Sequence, residues 1–401
     1  MRVAVVNWTS RRVGGIEEYV CMVIPALQRA GIDVAFWHEL DAPADRAPVG
    51  QPDDVADFCA ADMGAGKAIA ALRAWNPDVL YVQGLRDLRA EAKLLQIAPA
   101  VFFLHTYVGT CISGSKTWTR PTAVPCARTF GWPCLVHFFP HGCGGNSPVT
   151  MWRLYQEQSA RLRMLGRYQA ILTHTDHMRR EMTKHGLASQ VLPFPVGAHA
   201  RGVQRLEDGA WRLLFVGRMQ FLKGGQVLID AISEVIAAAR RPMRVMLAGD
   251  GPDRAKWEAR ARAVERTTSN LTFEFTGWLS QDDVGALMNN SDLLVVPSVW
   301  PEPFGTVGPV AAQHGLPAAA FDVGGISEWL VEGVTGHLAP ANPPAAAGLA
   351  RAIVRCLEDP VHYTNLRHGA QEMAARFTME RHLPQLIAAL QQVAAPAPDA
   401  V

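Results

Sequence analysis

Short apolar runs alternate with longer amphipathic segments along almost the whole chain, the pattern of βαβ units wound around parallel sheets. The runs of the first half are RVAVVN (2–7), DVAFW (33–37), DVLYVQ (78–83), AVFFLH (100–105) and AILTH (170–174). Those of the second half are RLLFVG (212–217), RVMLAG (244–249), LTFEFTG (271–277), DLLVVPS (292–298) and PAAAFDVGG (317–325). Between the sets lies a stretch with two prolines, three glycines and no clean periodicity, LPFPVGAHARGVQRLEDGA. It reads as a linker at 196–210 joining a first domain, 1–195, to a second, 211–377, before a closing segment, 378–401. The pattern predicts an α/β fold with two similar halves.

Each half opens alike, with a strand, a loop carrying basic residues, and a Gly-Gly pair that leads into a helix. The pairs are Gly14-Gly15 and Gly224-Gly225. Glycines there let a ligand approach the backbone, and a helix start offers free N–H donors, so both openings are candidate phosphate sites. Such a pair is more often only a tight turn. Neither loop has the spacing of the dinucleotide fingerprint, which disfavours a nicotinamide enzyme.

Length and composition narrow the field. At 401 residues the chain exceeds what one core usually organises. Hydrophobic residues make up 49% and charged ones 19%, with a net charge of +1, which describes a globular protein with ample core and gives no sign of a nucleic-acid partner. The chain starts on a strand-like run without an export signal, and no apolar stretch is long enough to cross a bilayer. With only seven cysteines, the expectation is a cytoplasmic protein in a reducing environment.

Candidate chemistry sits beyond the strand ends, where open α/β sheets bind ligands. In the second half, the loop after 212–217 carries Arg218 and Lys223, two cations placed for a diphosphate. The loop after 292–298 sets Glu302 between two prolines, ahead of Gly305 and a helix expected from about Thr306. The N–H groups near Phe304, Gly305 and Thr306 are expected to be free. A carboxylate beside such donors suits a polyhydroxylated ligand bearing phosphate; the plainer reading is an acid near a helix start. In the first half, His105 ends its strand and points toward the cleft between domains, while Glu17 and Glu18 read as helix caps.

The ordered set VGRMQFLKGG, AGDGP, FTGWLSQDDV, VVPSVWPEPFG and GLPAAAFDVGGISEWLVEGVTGHLAP resembles the retaining glycosyltransferases of family 4, whose fold, called GT-B, faces two Rossmann-like domains across a cleft. GGIEEYV and FFLHTY extend the likeness, more loosely, into the first half. The resemblance implies that Arg218 and Lys223 hold the donor diphosphate, that Glu302 orients the donor sugar, and that His105 contacts sugar or acceptor. It assigns Gly14, Gly15, Gly217, Gly249, Trp278, Pro303, Phe304, Gly305 and Thr306 to the donor-binding surface as well. The donor would be a nucleotide-diphosphate sugar, with no cofactor required, and the acceptor a glycan, a lipid-linked molecule or a small molecule. The segment after 377 would be a helix returning to the first domain, followed by a disordered tail.

One position departs from the pattern. The family usually carries a second Glu after seven intervening residues, to bind the donor ribose, and this chain has Val310 there. The loss of such a charged hydrogen bond weakens binding roughly ten- to a hundredfold. An active enzyme with altered nucleotide contacts is therefore the first reading. The second is a degenerate GT-B protein acting as a binding or partner subunit, and sugar-nucleotide epimerisation is a further alternative.

An insert at 106–150 holds Cys111, Cys126, Cys134 and Cys143, with His137 and His141 nearby. Thiolates could close a structural zinc site or hold an iron–sulfur cluster. The spacings of 14, 7 and 8 residues match no compact ligand pair, so buried thiols are the competing reading. The same insert contains CLVHFFPHG, an apolar patch, and Arg161, Arg163, Arg167, Arg179 and Arg180 follow. Together they suggest contact with the inner face of a membrane or with a lipid-linked acceptor.

Overall fold

A computed structural model describes residues 1–50, 52, 54–197 and 209–395. The expected tail beyond 395 and most of the expected linker lie outside the described residues. The first sheet takes β1 (Arg2–Thr9), β2 (Asp33–Leu40), β3 (Ala56–Cys59), β4 (Val79–Gly84), β5 (Ala100–Leu104), β8 (Ala170–Thr173) and β9 (Gln190–Val191). Their order is β3-β2-β1-β4-β5-β8-β9, and every pairing is parallel. The two missing numbers, β6 (Thr117–Trp118) and β7 (Val124–Pro125), form a small antiparallel hairpin inside the insert.

The second sheet takes β10 (Trp211–Val216), β11 (Met243–Ala248), β12 (Leu271–Gly277), β13 (Leu293–Val296), β14 (Ala318–Phe321) and β15 (Gly336–Ala339). Its order, β12-β11-β10-β13-β14-β15, is again wholly parallel. Crossover helices cover both faces of each sheet, so the central strands are buried on both sides and read as continuous apolar runs. Val3, Ala4, Val5 and Val6 are all fully buried, as are Leu213 and Leu214. Two doubly wound sheets make the GT-B architecture expected from the sequence. The strands of these two sheets that the sequence does not announce, β3, β9 and β15, are short edge strands with little apolar signal, and the two-residue strands β6 and β7 are equally silent.

The Met379–Ala394 helix packs on the helix Gly15–Arg29 and on β4 and β5. His382 fixes it there, its Nε2 2.7 Å from the Tyr19 hydroxyl and its Nδ1 2.8 Å from the Pro193 carbonyl. The chain therefore passes from the first sheet to the second and comes back. The two passages touch where Val196 N–H donates to the Phe377 carbonyl at 2.9 Å.

The insert has its own small core of Ile112, Phe130 and Phe138, against which Cys134 and Cys143 pack. A buried Lys116–Glu181 ion pair ties it to the Asp176–Thr183 helix. Removing Glu181 would strand the buried Lys116 ammonium out of water, whereas Glu181 also has Lys184 at 3.1 Å, so the pair anchors the insert chiefly through Lys116.

Candidate active site

Glu302 stands just past the end of β13 and is 4% exposed. Lys223, on the loop after β10, donates to its Oε1 at 2.7 Å, and Ser298 Oγ donates to the same oxygen at 2.6 Å. The two residues assigned separately to diphosphate and to sugar are therefore one ion pair. Lys223 is held further by the Trp300 ring, whose centroid lies 5.3 Å from Nζ. Arg218 is exposed on the same loop and has no ion pair among the described residues.

Gly224 shows why glycine closes this loop. Its φ is +72°, and a Cβ there would lie 1.7 Å from the Pro297 carbonyl oxygen. The β10 and β13 loops can meet, and Lys223 can reach Glu302, only because that atom is missing.

The prolines around Glu302 also acquire a role. Neither can donate a backbone hydrogen bond, but both carbonyls accept one from the other half of the molecule. Tyr107 Oη donates to the Pro301 carbonyl at 2.9 Å, and Thr175 Oγ1 donates to that of Pro303 at 2.8 Å. His177 Nε2 lies 2.7 Å from the same Tyr107 oxygen, and burial keeps the phenol protonated by pushing it well above its ordinary range. Sequence reading missed Tyr107, Thr175 and His177, because nothing local marks a residue whose partner lies 70 to 194 positions away.

The other expected donor-surface residues are found in differing states. The Gly15 backbone faces Thr306, whose Oγ1 would lie 3.8 Å from an added Cβ. Trp278 is exposed, and Arg46 of the first half covers its ring at 4.2 Å. A Cβ on Gly249 would strike the Gly217 carbonyl at 2.1 Å, so these two glycines serve a close strand-end contact. Phe304 is a core residue beside Phe194 and Phe377, and only its backbone can face a ligand. The helix expected from Thr306 runs Val307–Gln313. Val310 is partly buried against the core at the position where an acid was expected.

His105 lies at the end of β5 and bonds in two directions. Its Nε2 is 2.8 Å from Gln83 Oε1, and its Nδ1 is 2.8 Å from His174 Nε2. Both contacts are satisfied when His105 donates from Nε2 and accepts at Nδ1 from His174. Burial lowers its pKa to about 3, so the ring is neutral and supplies no cation to a phosphate. A signal for His174 was present: β5 and β8 pair Leu104 with Thr173, and each strand is followed by histidine. Glu17, read as a helix cap, lies in the first turn of its helix but is buried and accepts from Trp8 Nε1 at 3.0 Å, with burial raising its pKa.

Beside His105 a cavity of about 310 Å³ opens on the first-half side, lined among others by Trp8, Gln83, Arg86, Gln158 and Arg161. The Gln83 amide nitrogen is buried, with no hydrogen bond within ordinary reach among the described residues.

The metal expectation does not fit. Among the described residues no three His, Cys, Asp or Glu side chains come together to hold an ion. Cys111, Cys126, Cys134 and Cys143 are free thiols. Cys111 Sγ accepts from Lys116 N–H at 3.3 Å, and Cys143 donates toward the His137 carbonyl. Burial, followed by the three neighbouring thiols, pushes the Cys143 thiol up to about 12.

Residues 210–359 match the family model described as Glycosyl transferases group 1, and residues 13–196 match that of Glycosyltransferase Family 4. The chain belongs to the family 4 glycosyltransferases. This glycosyltransferase is 37% identical over 172 residues to the 2-deoxystreptamine glucosyltransferase of Streptomyces kanamyceticus, a match that spans only 43% of either chain. It is 26% identical to the glycogen synthase of Mycobacterium tuberculosis, over 90% of this chain and 87% of that one. Among solved structures, the Anabaena HepE protein in complex with UDP superposes with a TM-score of 0.67 at 18% identity, over 98% of this chain and 100% of that one. The sucrose-phosphate synthase of Thermosynechococcus elongatus gives 0.69 at 18% identity, over 98% of each. At such identities the structural likeness is one of fold. No helix among the described residues is long and apolar enough to cross a membrane.

Proposed function

We propose that this glycosyltransferase moves a hexose from a nucleotide-diphosphate donor to a glycan, lipid-linked or small-molecule acceptor, with retention at the anomeric carbon. The observation that carries the reading is the Lys223–Glu302 pair at 2.7 Å, with Arg218 exposed on the same loop. In this scheme the diphosphate lies against Arg218 and Lys223, which stabilise negative charge as the sugar–oxygen bond breaks. Glu302 accepts from donor sugar hydroxyls and orients the ring. The leaving phosphate oxygen takes the acceptor proton, and the acceptor oxygen bonds to the anomeric carbon from the same face. His105, being neutral, serves as a hydrogen-bonding partner to sugar or acceptor.

The Anabaena neighbour, which shares the fold and is in complex with UDP, supports a nucleotide ligand. Calorimetric titration with UDP, GDP and ADP tests the reading, followed by the tightest binder against Arg218→Ala. Tight binding of one nucleotide, lost in the variant, is expected. Val310 favours the second reading, a cytoplasmic binding or partner subunit, and an absence of binding up to millimolar nucleotide would select it.

A further inference from the structure

The insert presents an apolar surface that the donor-site chemistry does not use. Trp132 is 69% exposed, Val136 63%, Val149 79% and Trp152 52%. Trp132 caps the Pro133–His137 helix, which carries Val136. Val149 and Trp152 belong to the first turns of the Pro148–Leu165 helix, and the two helices pack together. The patch is continuous with the insert's core: Trp152 stacks on Tyr155 at 6.0 Å, and Tyr155 meets Phe130 at 5.4 Å. Phe138, by contrast, is fully buried, so the exposed patch is not the CLVHFFPHG segment as a whole.

Charge singles out the occupant. From Ala92 to Gln156 the chain contains no aspartate or glutamate. Arg120, Arg128 and Arg153 are exposed in that stretch. Arg128 lies over Trp118, which stacks on His141 at 3.8 Å, and His141 in turn faces His137 of the short helix. The arginines expected further on are less available: Arg161 donates to the Leu85 and Arg86 carbonyls, while Arg179 and Arg180 pair with Asp176. Exposed tryptophans and valines, bordered by arginines in a stretch without carboxylates until Glu157, which pairs with Arg161, suit the headgroup layer of an anionic bilayer, where indole rings settle and cations meet lipid phosphates.

We infer that this face of the insert, built on Trp132, Val136, Val149 and Trp152 with Arg128 and Arg153 beside it, seats the protein on an anionic lipid surface. The placement has a functional consequence. Gln158 and Arg161 line the cavity beside His105 and lie on the helix that carries Trp152. Gln158 is six residues beyond Trp152, roughly 9 Å along the axis. The helix thus runs from the lipid-facing patch to the acceptor-side cavity, as delivery of a membrane-borne acceptor requires. The delivery step rests on the transferase reading; lipid binding itself does not, and it is measured without turnover.

The test is flotation of the purified full chain with vesicles of phosphatidylcholine alone and of phosphatidylcholine with about one-third phosphatidylglycerol, at low and high salt. Binding to the anionic vesicles, with a blue shift of tryptophan emission, is expected. A Trp132→Ser/Trp152→Ser variant should bind at least about tenfold more weakly and keep its melting temperature and nucleotide affinity. Arg128→Glu/Arg153→Glu should remove the preference for anionic over neutral vesicles. Absence of binding to anionic vesicles, or equal binding by both double variants and the parent, overturns the inference. So does a concentration-dependent dimer, without lipid, that the tryptophan substitutions abolish, since a second copy would then cover the face.

Discussion

Replacing Lys223 by methionine separates the two functions that the structure gives this side chain. The substitution keeps the stem but deletes the ammonium, so Glu302 keeps only the Ser298 hydroxyl as partner. The side chains are 25% and 6% exposed, which puts the pair between surface and core. The orphaned carboxylate should therefore cost about 1–3 kcal/mol of stability, less than a fully buried charge. Nucleoside-diphosphate binding should fall roughly ten- to a hundredfold, the worth of one charged hydrogen bond. Adding Glu302→Gln removes the stranded charge, so the double variant should regain most of the lost stability while nucleotide binding stays weak. Denaturant melts and calorimetry with UDP on the parent, both single variants and the double variant complete the cycle. A Lys223→Met protein that binds UDP as tightly as the parent, or a double variant less stable than either single one, would refute the pairing argument.

Further outcomes follow from the same geometry. Val310→Glu puts an acid where the resemblance expects a ribose contact and should tighten nucleotide binding about tenfold; unchanged affinity would mean the ribose lies elsewhere. Gly224→Ala should destabilise by at least about 2 kcal/mol, because its φ and the Pro297 carbonyl both exclude a side chain, and an unchanged melting temperature would contradict that. Burial lowers His382 from its ordinary 6.5 to about 4, so the unfolded chain binds that proton first as pH falls. Its stabilising contribution is complete above 6.5 and is lost between there and about 4, on the order of 3 kcal/mol, which denaturant titrations at several pH values would detect. Zinc and iron in the purified protein should be well below one atom per chain, and chelation should leave the melting temperature unchanged.

The sheets were legible because buried parallel strands must be apolar along their whole length. RVAVVN and RLLFVG carry that requirement openly, while ADFC and GHLA, at sheet edges, do not. Individual candidates such as Lys223 and Glu302 could be picked out by their place after strands. Their direct bond could not, since it spans 79 positions and depends on two loops meeting at Gly224. The clamp on Pro301 and Pro303 was hidden for the same reason. The cysteines left two readings open: sequence shows their crowding, and only packing shows that Cys134 and Cys143 lie against a small apolar core.

The bond from Val196 to Phe377 turns the two chain passages into a double-stranded hinge. A single tether would let the second sheet swivel freely, whereas two crossings joined side by side resist twisting and favour one opening axis. Release of the Pro301 and Pro303 carbonyls would then swing the cleft apart along a defined path, and Tyr107 and Thr175 would return to the same two oxygens. The last helix matters to that motion as much as any residue in the cleft, because it holds the second crossing in place.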